Sequence, residues 1–339
     1  MSIKTLNMLN IILMILSCMV AFVLPFKLFL FSYVVLGPLH YLTEINWLKQ
    51  RNYFTLNKND YLILSLLTAL FFLGYIAGSF AFEHSILYNA EWKDNRTITL
   101  TAHLSHLAVF VAFLCALVMI IFSSAQARIL GILAALSIAL LFYRAPAYAY
   151  FIGFLPTLIH VVLFTAVFIL NGSLKSNSSS GLLSFVVFVS CIASFFFIPY
   201  SNPDYRITED VWNKYLSTGI HFINVELISI LDPAAGKDIF LSDLGLAVQR
   251  MVAFAYTYHY LNWFSKTSLI KWHQVSRRTM TITATLWVAS VALYLYSFPA
   301  GVLVLLFLST LHVILEFPLN HKSIIELPGL LKMKKLPSR

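Results

Sequence analysis

HLAVFVAFLCALVMIIF, residues His106–Phe122, decides the fold. Sixteen residues follow the histidine without a charge, a proline or a glycine. A run of this kind has the length and apolarity of a helix crossing a bilayer, for which about 17–25 residues are needed. It does not alternate between polar and apolar residues, so it cannot be a strand of a membrane β-barrel, where segments of about ten residues alternate. Working outward, segments of the same character fill the chain. They fall near residues 8–24, 26–48, 61–82, 99–123, 129–144, 147–170, 181–199, 244–264, 279–297 and 300–320. The expected fold is therefore all-α: a polytopic transmembrane helical bundle of about ten spans, forming one membrane domain over 1–339. Short turns at Pro25, Pro146 and Pro299 suit tight hairpins between antiparallel helices.

Composition agrees. The 339 residues are 60% hydrophobic and 11% charged, against about a quarter charged in soluble domains. The net charge of +9 reads as the positive-inside bias of a membrane protein and not as a nucleic-acid footprint. One set of loops and tails carries fifteen lysines and arginines against two acids, Asp60 and Glu326. The opposite set holds ten acids, concentrated in 83–96 and 200–243. The basic side is expected to be cytoplasmic, with both termini on it. The first apolar segment has no small-residue cleavage site after it and reads as a retained helix. Cys18, Cys115 and Cys191 lie in apolar segments and read as packing residues. Residues 200–243 read as an external loop. Within it, Tyr215–Leu231 is either an amphipathic surface helix or an eleventh, partly buried one.

The histidines carry the chemistry. His40, His160, His259 and His312 each sit on a different apolar segment, at a similar depth in the cytoplasmic half. Glu44 and Glu316 follow His40 and His312 at i+4, on the same helix face. Ionisable groups inside lipid are costly and mark functional sites. Neutral imidazoles bind iron, copper or zinc, with carboxylates as further ligands or as partners that fix the ring tautomer. The expectation is a metal site of His40, His160, His259 and His312, with Glu44 and Glu316 as catalytic carboxylates. An intramembrane histidine also serves as an interhelical hydrogen-bonding group, and His160, with no acid at i+4, is open to both readings. A second cluster competes on the external side: the His103/His106 pair, three residues apart, with His84 and His221. Phe254, Tyr256, Tyr258 and Tyr260, around His259, are expected to form the wall of a lipophilic substrate site. Arg250 and Lys27 are expected to snorkel to the interface, and His273 and His321 to be solvated.

Three stretches resemble a known family, the bacteriorhodopsin-related-protein (Brp/Blh) family of membrane β-carotene 15,15′-dioxygenases. Gly37-Pro38-Leu39-His40-Tyr41-Leu42-Thr43-Glu44 is similar to that family's early Gly-Leu-Pro-His-Gly-x-x-Asp motif. Tyr258-His259-Tyr260-Leu261-Asn262-Trp263 resembles its late histidine-aromatic stretch. Leu311-His312-Val313-Ile314-Leu315-Glu316 resembles its final Pro-His-x-x-x-x-Asp element. Glu replaces Asp in both acidic positions, Tyr41 replaces a glycine, and the family's His-Phe-Gly-x-x-Asp motif has no clear counterpart. The resemblance covers about thirty residues. It implies His40, His259 and His312 as Fe(II) ligands, O2 as cosubstrate and a lipophilic substrate, β-carotene in the specific case. The other activities that fit the sequence are a metal-dependent fatty-acyl hydroxylase or desaturase, and a transporter or haem-bearing electron carrier. No nucleic-acid partner is expected, and the default location is a bacterial plasma membrane.

Overall fold

The computed structural model describes residues 2–143, 145–198, 207–234, 242–266 and 274–335. Among them there is no strand. In chain order the helices are α1 (Ile3–Val23), α2 (Pro25–Phe31), α3 (Gly37–Lys49), α4 (Asp60–Ser79), α5 (Arg96–Ile121), α6 (Ala125–Phe142) and α7 (Pro146–Phe154). They continue with α8 (Thr165–Lys175), α9 (Ser179–Phe197), α10 (Glu209–Ser217), α11 (Ile220–Leu231), α12 (Asp243–Ser265), α13 (Arg277–Tyr296) and α14 (Phe298–Lys335). Two π-helical segments interrupt the regular helices, Ser32–Leu36 between α2 and α3 and Leu155–Phe164 between α7 and α8.

Nine helices among the described residues have the length and apolarity to cross a membrane. They make this an integral, multi-pass membrane protein. Helix starts carry the expected chemistry. Ser2, Asn95, Ser124, Ser178, Thr208 and Ser242 each accept a hydrogen bond from a first-turn amide, relieving donors that a helix leaves open. Pro25 and Pro146 open their helices, where a missing N–H costs nothing. α14 runs through Pro318 and on to Lys335, well past the expected end near residue 320.

The chain forms two compact units. The first comprises residues 1–40, 157–284 and 323–339. Its core element is α12, which packs against α1, α2, α9 and α11. α12 is the one helix of spanning length outside the apolar nine, because it contains Asp243, Gln249, Arg250, His259 and Asn262. Its polar residues are buried in protein: Gln249, Arg250, His259 and Asn262 all lie inside. Arg250 does not snorkel. Its Nε donates to the Phe22 carbonyl at 3.2 Å and its guanidinium lies over the Phe22 ring. Lys27 is exposed. Phe254 and Tyr258 stack on each other and pack against Phe188 of α9.

The 207–234 segment is not a free surface helix. Gly219, with φ of +71°, turns the chain between α10 and α11. Ile220, Asn224 and Ile228 then form a buried stripe on α11, which packs on α12. His221, His84 and His106 pack against aromatic rings, Phe222, Phe82 and Phe71 respectively.

The second unit comprises residues 41–156 and 285–322. α4 and α5 meet at Gly74, where a β-carbon would lie 2.0 Å from Ser105 Cβ. Only a residue without a side chain allows that approach. Arg128 of α6 and Asp60 of α4 form a buried ion pair. With the Asn57 amide turned so that its oxygen faces the guanidinium, that oxygen accepts from Arg128 Nη1 at 2.8 Å. Two residues that look like loop charges in the sequence thus join the starts of α4 and α6. His321 is buried within α14, its ring nitrogen 2.7 Å from the Phe113 carbonyl, and not solvated. His273 lies outside the described residues.

Candidate metal centre

Two departures from regular helix position the histidines. A π turn inserts one residue, and such turns gather at functional sites. The first, Ser32–Leu36, ends just before Pro38 and His40. Pro38 has no N–H and its ring crowds the carbonyl four residues back, so a wider turn there removes a conflict. Ser32 Oγ also bonds Thr257 Oγ1 at 2.6 Å, tying this segment to α12. The second, Leu155–Phe164, holds Pro156 near its start and His160 at its centre.

His40, His160 and His259 are 1%, 2% and 7% exposed. His259 Nε2 and His40 Nε2 are 3.1 Å apart. The His160 ring lies edge-on to His259 with centroids 4.7 Å apart. Thr165 Oγ1 and His259 Nδ1 are within hydrogen-bond distance at 2.9 Å. That contact fixes the ring so that Nε2, and not Nδ1, is turned toward His40. Tyr260 and Trp263 flank the His40 ring at 4.9 and 5.7 Å. His312 is 3% exposed and stacks on Tyr41. Three of the four histidines named from the sequence thus come together in the first unit, and His312 belongs to the second. Among the described residues, His84, His106 and His221 form no group of three or more metal-binding side chains. The side chain of His103 lies outside the described residues.

No family model matches this chain. No curated protein or solved structure matches it either.

The donor set suits an ion of the first transition row. Metal–nitrogen bonds of about 2.0–2.1 Å place neighbouring ligand nitrogens about 2.9 Å apart at a right angle and about 3.3 Å apart at the tetrahedral angle. The observed 3.1 Å falls between these values. It also equals a hydrogen bond between two neutral rings. The third imidazole, His160, packed against His259, is what favours an ion. All-imidazole donors suit iron, copper or zinc better than magnesium or calcium.

Glu44 and Glu316 are 2% and 3% exposed, and their carboxyl groups are within hydrogen-bonding reach of each other. The sequence found both acids but not their pairing, because i+4 spacing reports one helix at a time. Of the expected wall residues, Tyr256 and Tyr260 lie together on α12 at 6.2 Å, with Tyr260 against His40. Sequence reasoning missed Thr165 and Tyr41. Nothing marks a threonine in an apolar helix until the ring beside it is known.

Proposed function

We propose that this protein is a membrane-embedded non-haem iron oxygenase acting on a lipophilic substrate, and that its specific reaction is oxidative cleavage of a carotenoid. The observation that carries this reading is the buried imidazole cluster, with His259 Nε2 and His40 Nε2 3.1 Å apart and His160 against His259. His40, His160, His259 and His312 would hold Fe(II). An imidazole-held ferrous ion supplies activation of O2. Cleavage of one central C=C bond with both atoms of O2 balances as two aldehydes. The motif resemblance to the Brp/Blh family supports the same reaction.

The chain's own residues have defined tasks in this reading. Thr165 orients the His259 ring. Tyr41 holds His312 in a stacked position. Tyr256, Tyr260 and Phe29 give an apolar aromatic wall that excludes water and accepts a polyene by dispersion. Glu44 and Glu316 are the two carboxyl groups that would exchange protons in the reaction. In the topology proposed here ten helices span a bacterial plasma membrane with both termini cytoplasmic. α12 is the tenth, tolerated in lipid because neighbouring helices cover its polar residues.

The test is elemental analysis of purified protein together with product analysis in cells that make β-carotene. About one iron per chain and retinal formation are expected. His259→Ala and His40→Ala should lose both. Full metal content in both variants would remove the site, and oxidised fatty acids in place of retinal would transfer the reading to acyl chains.

A further inference from the structure

A buried polar cluster lies away from the histidines in the first unit. Tyr215 of α10, Asn224 of α11 and Gln249 of α12 are 0%, 1% and 0% exposed. The Tyr215 hydroxyl donates to Gln249 Oε1 at 2.8 Å. Asn224 Nδ2 donates to both the Tyr215 hydroxyl and Gln249 Oε1 at 2.7 Å. Two atoms of the cluster remain without a partner, Gln249 Nε2 and Asn224 Oδ1. One is a donor and the other an acceptor. Each such buried atom costs about 1–3 kcal/mol when unsatisfied, and the hydrocarbon region offers no bulk water to relieve it.

The surroundings are aromatic. Phe26 and Phe29 meet the Tyr215 ring edge-on at 4.9 and 5.7 Å. Phe29 also meets Tyr256 at 5.3 Å, and Tyr256 leads to Tyr260 and so to His40. A continuous row of rings therefore runs from the polar cluster to the histidines. Along α12, Gln249 and His259 are ten residues apart, roughly 15 Å at about 1.5 Å per residue.

We infer that Tyr215, Asn224 and Gln249 form a recognition site for a hydroxyl group at the end of the lipophilic substrate. A hydroxyl completes both vacancies at once, accepting from Gln249 Nε2 and donating to Asn224 Oδ1. A carbonyl fills only the first, and a hydrocarbon end fills neither. The substrate class is then a long apolar chain whose hydroxylated end lies roughly 15 Å from the position that reaches the histidines. This inference rests on the reading of the site as a carotenoid oxygenase and specifies which carotenoids it takes.

The experiment is a titration of purified full-length protein in detergent with β-carotene and with its ring-hydroxylated counterpart, followed by the shift in the carotenoid absorption bands. It requires no turnover. The hydroxylated compound is expected to bind roughly 5- to 150-fold tighter, the ratio that corresponds to about 1–3 kcal/mol. Gln249→Leu should bring that ratio close to one while metal content stays at the wild-type level, which reports on His259 in the same helix. Equal affinity of the wild-type protein for the two compounds would overturn the inference and leave the oxygenase reading standing, with an ordered water as the cluster's occupant. A ratio that survives Gln249→Leu would also overturn it. Binding of neither compound would remove the carotenoid reading and this inference together. The wild-type comparison needs no variant, so a misfolded Gln249→Leu leaves the decision intact.

Discussion

Replacing Thr165 by valine tests the metal centre without touching a ligand. Valine has nearly the shape of threonine, and Thr165 is 1% exposed, so the packing changes little. What is lost is the 2.9 Å contact to His259 Nδ1. If His259 binds metal through Nε2, the threonine hydroxyl is the group that fixes its tautomer and ring angle. Partners of this kind are worth about 10–100-fold in metal affinity, or about 1.4–2.7 kcal/mol. The fold also pays for a buried imidazole nitrogen left without its bond, about 1–3 kcal/mol. The assay is competition for Fe(II) against a chelator of known affinity, with a thermal melt of the metal-free protein alongside. Thr165→Val should weaken binding by 10–100-fold, and Thr165→Ser, which keeps the hydroxyl, should restore most of it. Wild-type affinity in Thr165→Val would refute the reasoning, because the His259 ring would then owe its orientation, or its role as a ligand, to something else.

Further predictions concern stability and pH, each read by thermal melting in detergent. Arg128→Ala removes one partner of the buried pair with Asp60 and should cost about 3–5 kcal/mol; an unchanged melting temperature would show the pair is dispensable. Gly219→Ala places a β-carbon on a residue at φ +71° and should cost about 1–2 kcal/mol, whereas Gly172→Ala, where the added carbon meets nothing, should cost none. Burial lowers the Lys266 ammonium from 10.5 to about 8. Between those values the unfolded chain binds the proton and the folded one does not, so stability should rise as pH increases from 8 toward 10.5. Lys266→Met should flatten that rise, and a wild-type profile level across this window would contradict the shift.

The histidine site was legible as far as linear order allows. Segment boundaries and loop charge put His40, His160, His259 and His312 at one depth, and within the first unit the structure brings the His40, His160 and His259 rings together. The same reasoning offered a competing external cluster and could not dismiss it. Depth follows from counting residues, whereas convergence needs the rotation of each ring about its helix axis. Each π turn adds a residue and so rotates everything after it by about 100°. The segment Ser32–Leu36 stands directly before His40, and Leu155–Phe164 contains His160. Regular helical periodicity therefore cannot give the direction of either ring.

The sequence alone determined the helical, membrane-spanning character, because backbone polar groups in lipid must be satisfied within the segment and long apolar runs leave only the helix. It also determined the pairing of each glutamate with its histidine on one face, a property of local geometry. Tertiary structure decided the rest. It buried Arg250, expected at the interface, and His321, expected in solvent, since a polar side chain is exposed or enclosed according to which helices cover it. It joined Arg128 to Asp60, and Tyr215 to Asn224 and Gln249, across 68, 9 and 34 residues of sequence. Partners in hydrogen bonds and ion pairs are set by distances of a few ångströms, and no pattern of polarity along the chain encodes those.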